Sequence, residues 1–143
     1  YYRIGFGGGA IGLGVVDGDV LFVELYRPRL DERLLELPGG GIDEGEEPTE
    51  AARREFAEET GYVANTAELL GSFYFTAWSR TKRHYVWLDD FEPREDTDPE
   101  AEVQDVVRVS VEDAFDVAAE SPAGEWNLTP LQLARQRGYL DFD

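Results

Sequence analysis

The stretch GGGIDEGEEPTEAARREFAEETGY, residues 39–62, decides how this chain folds, and the rest of the sequence is organised around it. It begins with three consecutive glycines, which let the backbone approach another group closely, and continues as an acidic loop. Pro48 suits the first turn of a helix, where a backbone N–H has no partner in any case. Gly61 suits the left-handed position just past a helix end. The stretch therefore predicts a glycine-rich turn, a loop and a helix between Pro48 and Gly61.

Three glutamates of this predicted helix, Glu55, Glu58 and Glu59, fall on one side of it. At 100° per residue they lie within an arc of roughly 100°. Like charges this close repel one another, and a hard divalent cation with oxygen ligands would remove that penalty. In a chain as acidic as this one, a solvated acidic face is the alternative interpretation of any three glutamates.

The residues around these glutamates complete a longer motif. The spacing matches G-x5-E-x7-R-E-U-x-E-E-x-G-U, where U is a bulky apolar residue, at Gly40, Glu46, Arg54, Glu55, Phe56, Glu58, Glu59, Gly61 and Tyr62. On these residues the chain resembles the Nudix hydrolases, which cleave nucleoside diphosphates linked to another moiety. Phe56 and Tyr62 depart mildly from the family pattern, because they are aromatic where aliphatic residues are usual.

The resemblance implies a metal site on the predicted helix. Glu55, Glu58 and Glu59 are the implied ligands of Mg²⁺ or Mn²⁺, and Glu58 and Glu59 are also the implied catalytic residues. In the family a backbone carbonyl just before the first glycine of the motif joins the ligands, and by resemblance that residue is Gly39. The arginine of the Arg-Glu pair orients a glutamate in the family, so Arg54 is expected to support Glu58 rather than to bind substrate.

A general base is the next requirement of the expected chemistry. The phosphorus of a pyrophosphate is shielded by negative oxygens, and divalent ions can cancel that charge and lower the pKa of the attacking water. Some family members use a glutamate of the motif as the base, and others use a glutamate on a distant loop. The loop candidates here are Glu102 and, second, Glu100, for which two solvated loop acids are the alternative interpretation.

Substrate contacts are expected at the end of the second predicted strand. Tyr26-Arg27 and the Glu-Leu-Pro at 36–38 resemble the corresponding stretches of ADP-ribose pyrophosphatases, in which the arginine after the hairpin strand contacts substrate. This implies a substrate contact from Arg27, with Arg29 assisting. Tyr26 and Trp78 are candidates for stacking on a base. One departure is that residues 75–78 contain no proline, although those enzymes carry a proline-containing loop there.

The expected function is therefore metal-dependent hydrolysis of a nucleotide derivative. ADP-ribose or another nucleotide sugar is the first expected substrate, and a nucleoside triphosphate, as in the pool-sanitising branch, is the second. A nucleotide-sensing Nudix domain without turnover is the alternative from another class. It is disfavoured because the chain keeps every glutamate of the motif. Homodimers are common in the ADP-ribose-cleaving branch, so the resemblance leaves a homodimer open.

Composition limits the other classes of protein. A length of 143 residues with 42% hydrophobic residues predicts one folded domain over residues 1–143. The net charge of −18 disfavours nucleic acid and anionic membranes as partners. There is no cysteine, no apolar run that would span a bilayer and no signal-peptide pattern at the start, so a cytoplasmic location is expected. The first residue is not methionine, which leaves open whether the N-terminus is complete. Pervasive acidity with Lys82 as the only lysine suggests a halophilic source.

The order of the predicted elements indicates an α+β fold. Strands are predicted at 9–16, 20–26, 69–76, 83–90 and 103–109, with a short extended run at 34–38 and a long loop at 92–102. The first two strands form a hairpin around Asp17-Gly18-Asp19. Ser110 and Asp113 predict a helix N-terminus, and Thr129-Pro130 predicts the start of a last helix that Gly138 ends. This order resembles the Nudix α/β/α sandwich with a mixed β-sheet.

Overall fold

The computed structural model describes residues 8–94 and 105–141, which form seven strands and three helices. In chain order the elements are β1 (Gly9–Val16), β2 (Asp19–Arg27), β3 (Glu32–Glu36), β4 (Gly39–Gly41), α1 (Pro48–Thr60), β5 (Tyr62–Tyr74), β6 (Lys82–Pro93), β7 (Asp105–Ser110), α2 (Val111–Glu120) and α3 (Glu125–Gln136). Within these ranges, no helix has both the length and the apolar character needed to cross a membrane.

Strand β1 lies in the middle of a mixed sheet. It runs parallel to β6 and antiparallel to β2 and β4, and the strands follow the order β3-β2-β1-β6-β5, with β7 on β2. β4 pairs with the first three residues of β1, whereas β2 pairs with its last two, Val15 and Val16. The glycine-rich turn therefore pairs with the first part of β1, where β2 is no longer paired with that strand.

Helices cover both faces of the sheet, which confirms the predicted α/β/α arrangement. On one face α1 contributes Ala51, Ala52 and Phe56, all fully buried, and Phe56 packs on Phe91 with ring centroids 5.2 Å apart. The opposite face is covered by α2 and α3, and its core is formed by buried residues of β1, β2, β6 and both helices. Burial of these two apolar faces is the main stabilising contribution to the fold.

Local signals placed several elements correctly. The hairpin turns at Asp17 and Gly18, both with positive φ, and α1 begins at Pro48. Gly61 ends α1 in the left-handed conformation, with φ 83°. The hydroxyl of Ser110 accepts a hydrogen bond from the Asp113 N–H, as predicted for the start of α2.

Three predicted boundaries were wrong. β5 begins at Tyr62 rather than residue 69, because it pairs with β6 directly after α1. β6 correspondingly extends to Pro93, so the first residues of the predicted loop at 92–102 belong to a strand, while residues 95–102 lie outside the described residues. Helix α3 begins at Glu125 and carries Pro130 in its interior, because Gly124 turns the chain four residues earlier than expected.

Asn127 joins α3 to β3 and should contribute strongly to stability. This fully buried side chain accepts a 2.8 Å hydrogen bond from the Leu37 N–H and donates one of 2.8 Å to the Leu35 carbonyl. We expect Asn127→Ala to lower the free energy of unfolding by about 2–3 kcal/mol, because a buried N–H loses its partner. Urea denaturation would measure the loss. The exposed Asn65→Ala is the control, and an equally small effect of both substitutions would contradict the role of Asn127.

Candidate active site

The glycine-rich turn and α1 meet so closely that side chains are excluded. A β-carbon on Gly40 would lie 2.6 Å from the carboxyl carbon of Glu55. A β-carbon on Gly39 would lie 2.6 Å from the backbone carbonyl oxygen of Ala10. Real β-carbons do not approach other atoms this closely, so a side chain at residue 39 would have to displace the backbone of β1, and one at residue 40 would have to displace the flexible Glu55 carboxylate. The turn thereby brings the backbone of residues 39–41 against the glutamate face of α1.

The two glycines should fail in different ways when they are replaced by alanine. The Gly40→Ala methyl group meets the flexible end of Glu55, so we expect the carboxylate to move and activity to fall roughly tenfold with stability nearly retained. The Gly39→Ala methyl group meets backbone that cannot move away, so we expect a loss of about 1–3 kcal/mol in unfolding free energy. Steady-state kinetics and thermal unfolding of both variants would test this, and identical profiles would contradict it.

Arg54 connects the acidic loop to the glutamates of α1. Its guanidinium donates to both carboxylate oxygens of Glu46, at 2.9 and 3.0 Å, and to the Gly41 carbonyl at 3.1 Å. The same group reaches Glu55 at 2.8 Å and Glu58 at 3.4 Å. The hydrogen bond from Arg54 lowers the pKa of Glu46, and Glu46 in turn raises the pKa of Arg54. Arg54 therefore positions two of the three helix glutamates.

Glu59 is a half-buried member of the glutamate face, whereas Glu58 is exposed. Burial, together with a hydrogen bond to Glu55 and the negative charge of Glu55, raises the pKa of Glu59 to about 9. A hydrogen bond from the Gly39 backbone acts in the opposite direction. The Oε1 atom of Glu59 is buried and has no hydrogen-bond partner among the described residues. In the metal-free protein, the Glu59 carboxyl group is therefore protonated at neutral pH.

These residues fit a divalent cation, although their side chains are not arranged around one. Within residues 8–94 and 105–141, no group of three or more carboxylate or imidazole side chains converges closely enough to hold a metal ion. Glu55 and Glu58 instead form ion pairs with Arg54, at 2.8 and 3.4 Å. The unpartnered oxygen of Glu59 beside the Glu55 carboxylate is nevertheless a site that a hard cation would satisfy.

Arg27 lies next to this cluster and is held by a residue that the sequence analysis did not single out as functional. Glu36 is only 4% exposed, and it receives two hydrogen bonds from Arg27, at 2.8 and 2.5 Å. Both residues interact electrostatically with Glu59. The available signal was that Glu36 shares the inward-facing alternation of β3 with the buried Leu34, where a charge needs a partner.

The other predicted site residues lie farther from the glutamate face or outside the described residues. Tyr26 lies on the opposite face of its strand from Arg27, because neighbouring side chains alternate, and it donates to Asp31 at 2.8 Å. Arg29 is exposed in the turn between β2 and β3. Trp78 is 88% exposed in the β5–β6 connection. Glu100 and Glu102 belong to residues 95–104, which are not described.

Comparison with known proteins agrees with this geometry. The family model for the NUDIX domain matches residues 6–132. An ADP-ribose pyrophosphatase of Bacillus subtilis is 33% identical over 108 residues, which cover 72% of this chain and 58% of that protein. An ADP-sugar pyrophosphatase of Mus musculus is 47% identical over 49 residues, covering 34% of this chain and 22% of that protein. The chain thus spans little more than half the length of the Bacillus relative.

A solved structure extends the similarity to the whole fold. The crystal structure of an ADP compounds hydrolase aligns with a TM-score of 0.74 and 26% sequence identity, covering 91% of this chain and 71% of that one. The family model covers the glycine-rich turn, α1 and most of α3. Members of this family generally use divalent metal ions, in keeping with the carboxylates around Glu59. The chain belongs to the NUDIX domain family.

Proposed function

We propose that this protein hydrolyses the pyrophosphate linkage of ADP-ribose or a related nucleotide sugar, with Mg²⁺ or Mn²⁺ bound by Glu55, Glu58, Glu59 and the Gly39 carbonyl. The observation that carries the proposal is the Glu55–Glu59 pair against the glycine turn, in which one Glu59 carboxylate oxygen is buried and unpartnered among the described residues. The relatives named as ADP-ribose and ADP-sugar pyrophosphatases support the choice of substrate.

A bound divalent ion would supply charge neutralisation of the pyrophosphate and a water of lowered pKa. The residues of the chain would perform the remaining tasks. Arg54 keeps the Glu55 and Glu58 carboxylates oriented. Arg27, fixed by its paired hydrogen bonds to Glu36, presents a positive charge to a phosphate beside Glu59. Glu102, followed by Glu100, is the proposed general base, and a glutamate of α1 is the alternative.

A substrate screen with chromatographic identification of the products would test the proposed reaction. We would incubate the protein with ADP-ribose, nucleotide sugars, dinucleoside polyphosphates and nucleoside triphosphates, each with Mg²⁺, Mn²⁺ or EDTA. The expected result is metal-dependent conversion of ADP-ribose to AMP and ribose 5-phosphate. Release of inorganic pyrophosphate from triphosphates alone would move the chain to the pool-sanitising branch. No turnover by a folded, metal-binding protein would favour a nucleotide-sensing domain.

Salt dependence would test the proposed halophilic origin of the protein, for which we also propose a cytoplasmic location. The chain carries 31 acidic and 13 basic residues, so its self-repulsion is strong in dilute buffer. Because salt screens exposed charges, with a Debye length of roughly 3 Å at 1 M, we expect unfolding temperature and activity to rise from low to multimolar KCl. A higher unfolding temperature and activity in dilute buffer would contradict a halophilic source.

Sedimentation in the same buffers would test the proposed homodimer.

A further inference from the structure

A cavity with both charged and apolar lining residues adjoins the proposed pyrophosphate site. It has a volume of about 240 Å³, and the residues that line it include Arg27, Leu34, Glu36, Arg83, Glu125 and Trp126. Arg27 and Glu36 belong to both places, because each interacts with Glu59 on one side and lines the cavity on the other. A substrate with its pyrophosphate beside Glu59 would therefore have one end at this cavity.

Arg83 is the residue of this cavity that has unused donors. Its guanidinium carbon lies 4.8 Å from the ring centre of Phe75 and 5.0 Å from that of Trp126. Its only carboxylate partner among the described residues is Glu125, at 3.3 Å, and the Glu125 side chain is 74% exposed. The Nε atom of Arg83 is buried and has no hydrogen-bond partner within the described part of the chain. A guanidinium has five N–H donors, and the hydrogen bond to Glu125 uses one of them.

The cavity wall that carries Arg83 is rigid. The Trp126 indole N–H donates to the Leu37 carbonyl at 2.9 Å, which fixes the ring against β3. The next residue, Asn127, adds two further hydrogen bonds to the same strand. Because Arg83 rests on a fixed ring, its N–H groups have a preset direction, and little conformational entropy is lost when they bind a ligand.

The chemistry of the lining favours a sugar over a nucleotide base. Two guanidinium groups and two carboxylates offer donors and acceptors to hydroxyl groups, whereas a base would need an apolar face for stacking. Arg83 already lies over the Trp126 ring. The volume is below the roughly 300–1,000 Å³ of pockets that enclose a whole drug-sized ligand, so the cavity suits one ring of the substrate.

We propose that this cavity binds the sugar attached to the second phosphate of the substrate, and that Arg83 donates hydrogen bonds to its oxygens and so determines specificity. This inference rests on the proposed function and adds to it the location of the sugar. Arg83 contacts substrate away from the reacting phosphorus, so its loss should raise KM with little change in kcat.

The test compares two substrates that share the scissile bond but differ in the sugar: ADP-ribose and the methyl ester of ADP. For Arg83→Gln we expect kcat/KM for ADP-ribose to fall by about 10- to 100-fold, mainly through KM, because a charged donor is lost. The methyl ester, which has no sugar in this position, should change by less than about twofold. Arg135→Gln is the matched control, since Arg135 lies over the Phe115 ring and outside this cavity.

An equal loss on both substrates would show that Arg83 has a structural role, and no loss on ADP-ribose would place the sugar elsewhere. Either result overturns the inference. Should Arg83→Gln fail to fold, Arg83→Lys keeps the charge but loses the planar donor group. It should then weaken cleavage of ADP-ribose selectively.

Product binding separates this inference from the proposed reaction. Calorimetry with ribose 5-phosphate and with AMP requires no turnover, so it remains informative even if the protein cleaves no ADP-ribose. We expect Arg83→Gln to weaken ribose 5-phosphate binding about tenfold or more and to leave AMP binding unchanged. Loss of AMP binding alone would place the base in the cavity and overturn the inference.

Discussion

Replacing Glu59 by glutamine should lower kcat/KM for the pyrophosphate substrate by roughly 10²–10³-fold or more, comparable to the loss of a principal charge-stabilising group in other active sites. Glutamine keeps the size of the side chain but cannot carry the negative charge that a cation would neutralise. The glutamates of α1 are not equivalent in this respect, because Glu59 is the one with a buried, unpartnered oxygen. Steady-state kinetics with Mg²⁺ and Mn²⁺ would measure the loss.

The fold should survive this substitution. Desolvation and the neighbouring Glu55 charge disfavour only the ionised form of Glu59, and a neutral amide of the same size carries no such penalty. We therefore expect the unfolding temperature in EDTA to be equal to or higher than that of the wild type. Glu50→Gln, at an exposed position on the same helix, is the control for both readouts. A fully active Glu59→Gln enzyme, or one that is unfolded, would be incompatible with the assigned role.

Glu59 should also make the stability of the metal-free wild type fall as pH rises, and Glu59→Gln should remove this dependence. The pKa of Glu59 is about 9 in the folded, metal-free protein and 4.5 as its ordinary value. Between these values the folded state binds more protons than the unfolded state, so the stability that Glu59 supplies below its unfolded pKa is lost as pH rises towards 9. Relative to Glu59→Gln, the wild type should lose up to about 1.4 kcal/mol of unfolding free energy for each unit by which the pH rises in this range. Urea unfolding in EDTA at several pH values would detect this slope, and parallel curves would exclude it.

Arg54→Ala should produce the second largest effect, because it removes several interactions at once. Arg54 bonds Glu46 through two nitrogens and reaches Glu55, Glu58 and the Gly41 carbonyl. Its carboxylate partners would be left unpaired beside one another. Because these groups are only partly buried, we expect a loss of about 2 kcal/mol in unfolding free energy rather than the ~3–5 kcal/mol of a fully buried pair. Activity should fall roughly 10- to 100-fold, as for residues that orient metal ligands.

The neighbouring Arg53 is a close control for Arg54. It lies on the same helix and donates a single hydrogen bond to the Ala64 carbonyl, at 2.8 Å. Arg53→Ala should therefore cost about 1 kcal/mol of stability and little activity. Arg54→Lys should fall between Arg54→Ala and the wild type, since it keeps the charge but cannot bond both oxygens of Glu46. If Arg53→Ala and Arg54→Ala behave alike in kinetics and urea unfolding, Arg54 does not organise this site.

Backbone chemistry that is local in sequence determined much of the fold. Pro48 and Gly61 bounded α1 correctly, and Asp17-Gly18 and Ser110 marked a turn and a helix start. Such signals can be read from one segment, because the conformational preference of a residue and its capping hydrogen bond involve only near neighbours. The spacing of the glutamate motif was also sufficient to identify the family, which the family model confirmed.

Tertiary structure decided the pairings between distant segments. The β5–β6 pairing extended both strands beyond their predicted bounds. Helix α3, which begins before its predicted start and contains Pro130, is joined to the end of β3 by the hydrogen bonds of Asn127. Glu36 becomes a buried partner of Arg27 only when β2 and β3 pair. No pattern within one segment reports these contacts, because each depends on which strands become neighbours.

The electrostatic character of the site was also decided by tertiary structure. The sequence placed Glu55, Glu58 and Glu59 on one helix face, but it did not show that Glu58 is exposed while Glu59 is half-buried with a pKa raised to about 9. That difference accompanies the approach of β4 to the helix, where Gly40 lies close to Glu55 and the Gly39 backbone bonds Glu59. Likewise, Arg83 contacts both Phe75 and Trp126 only in the folded sheet. The sequence by itself determined which charges the site contains, whereas the fold determined which of them are withdrawn from water, since burial depends on what packs above a residue.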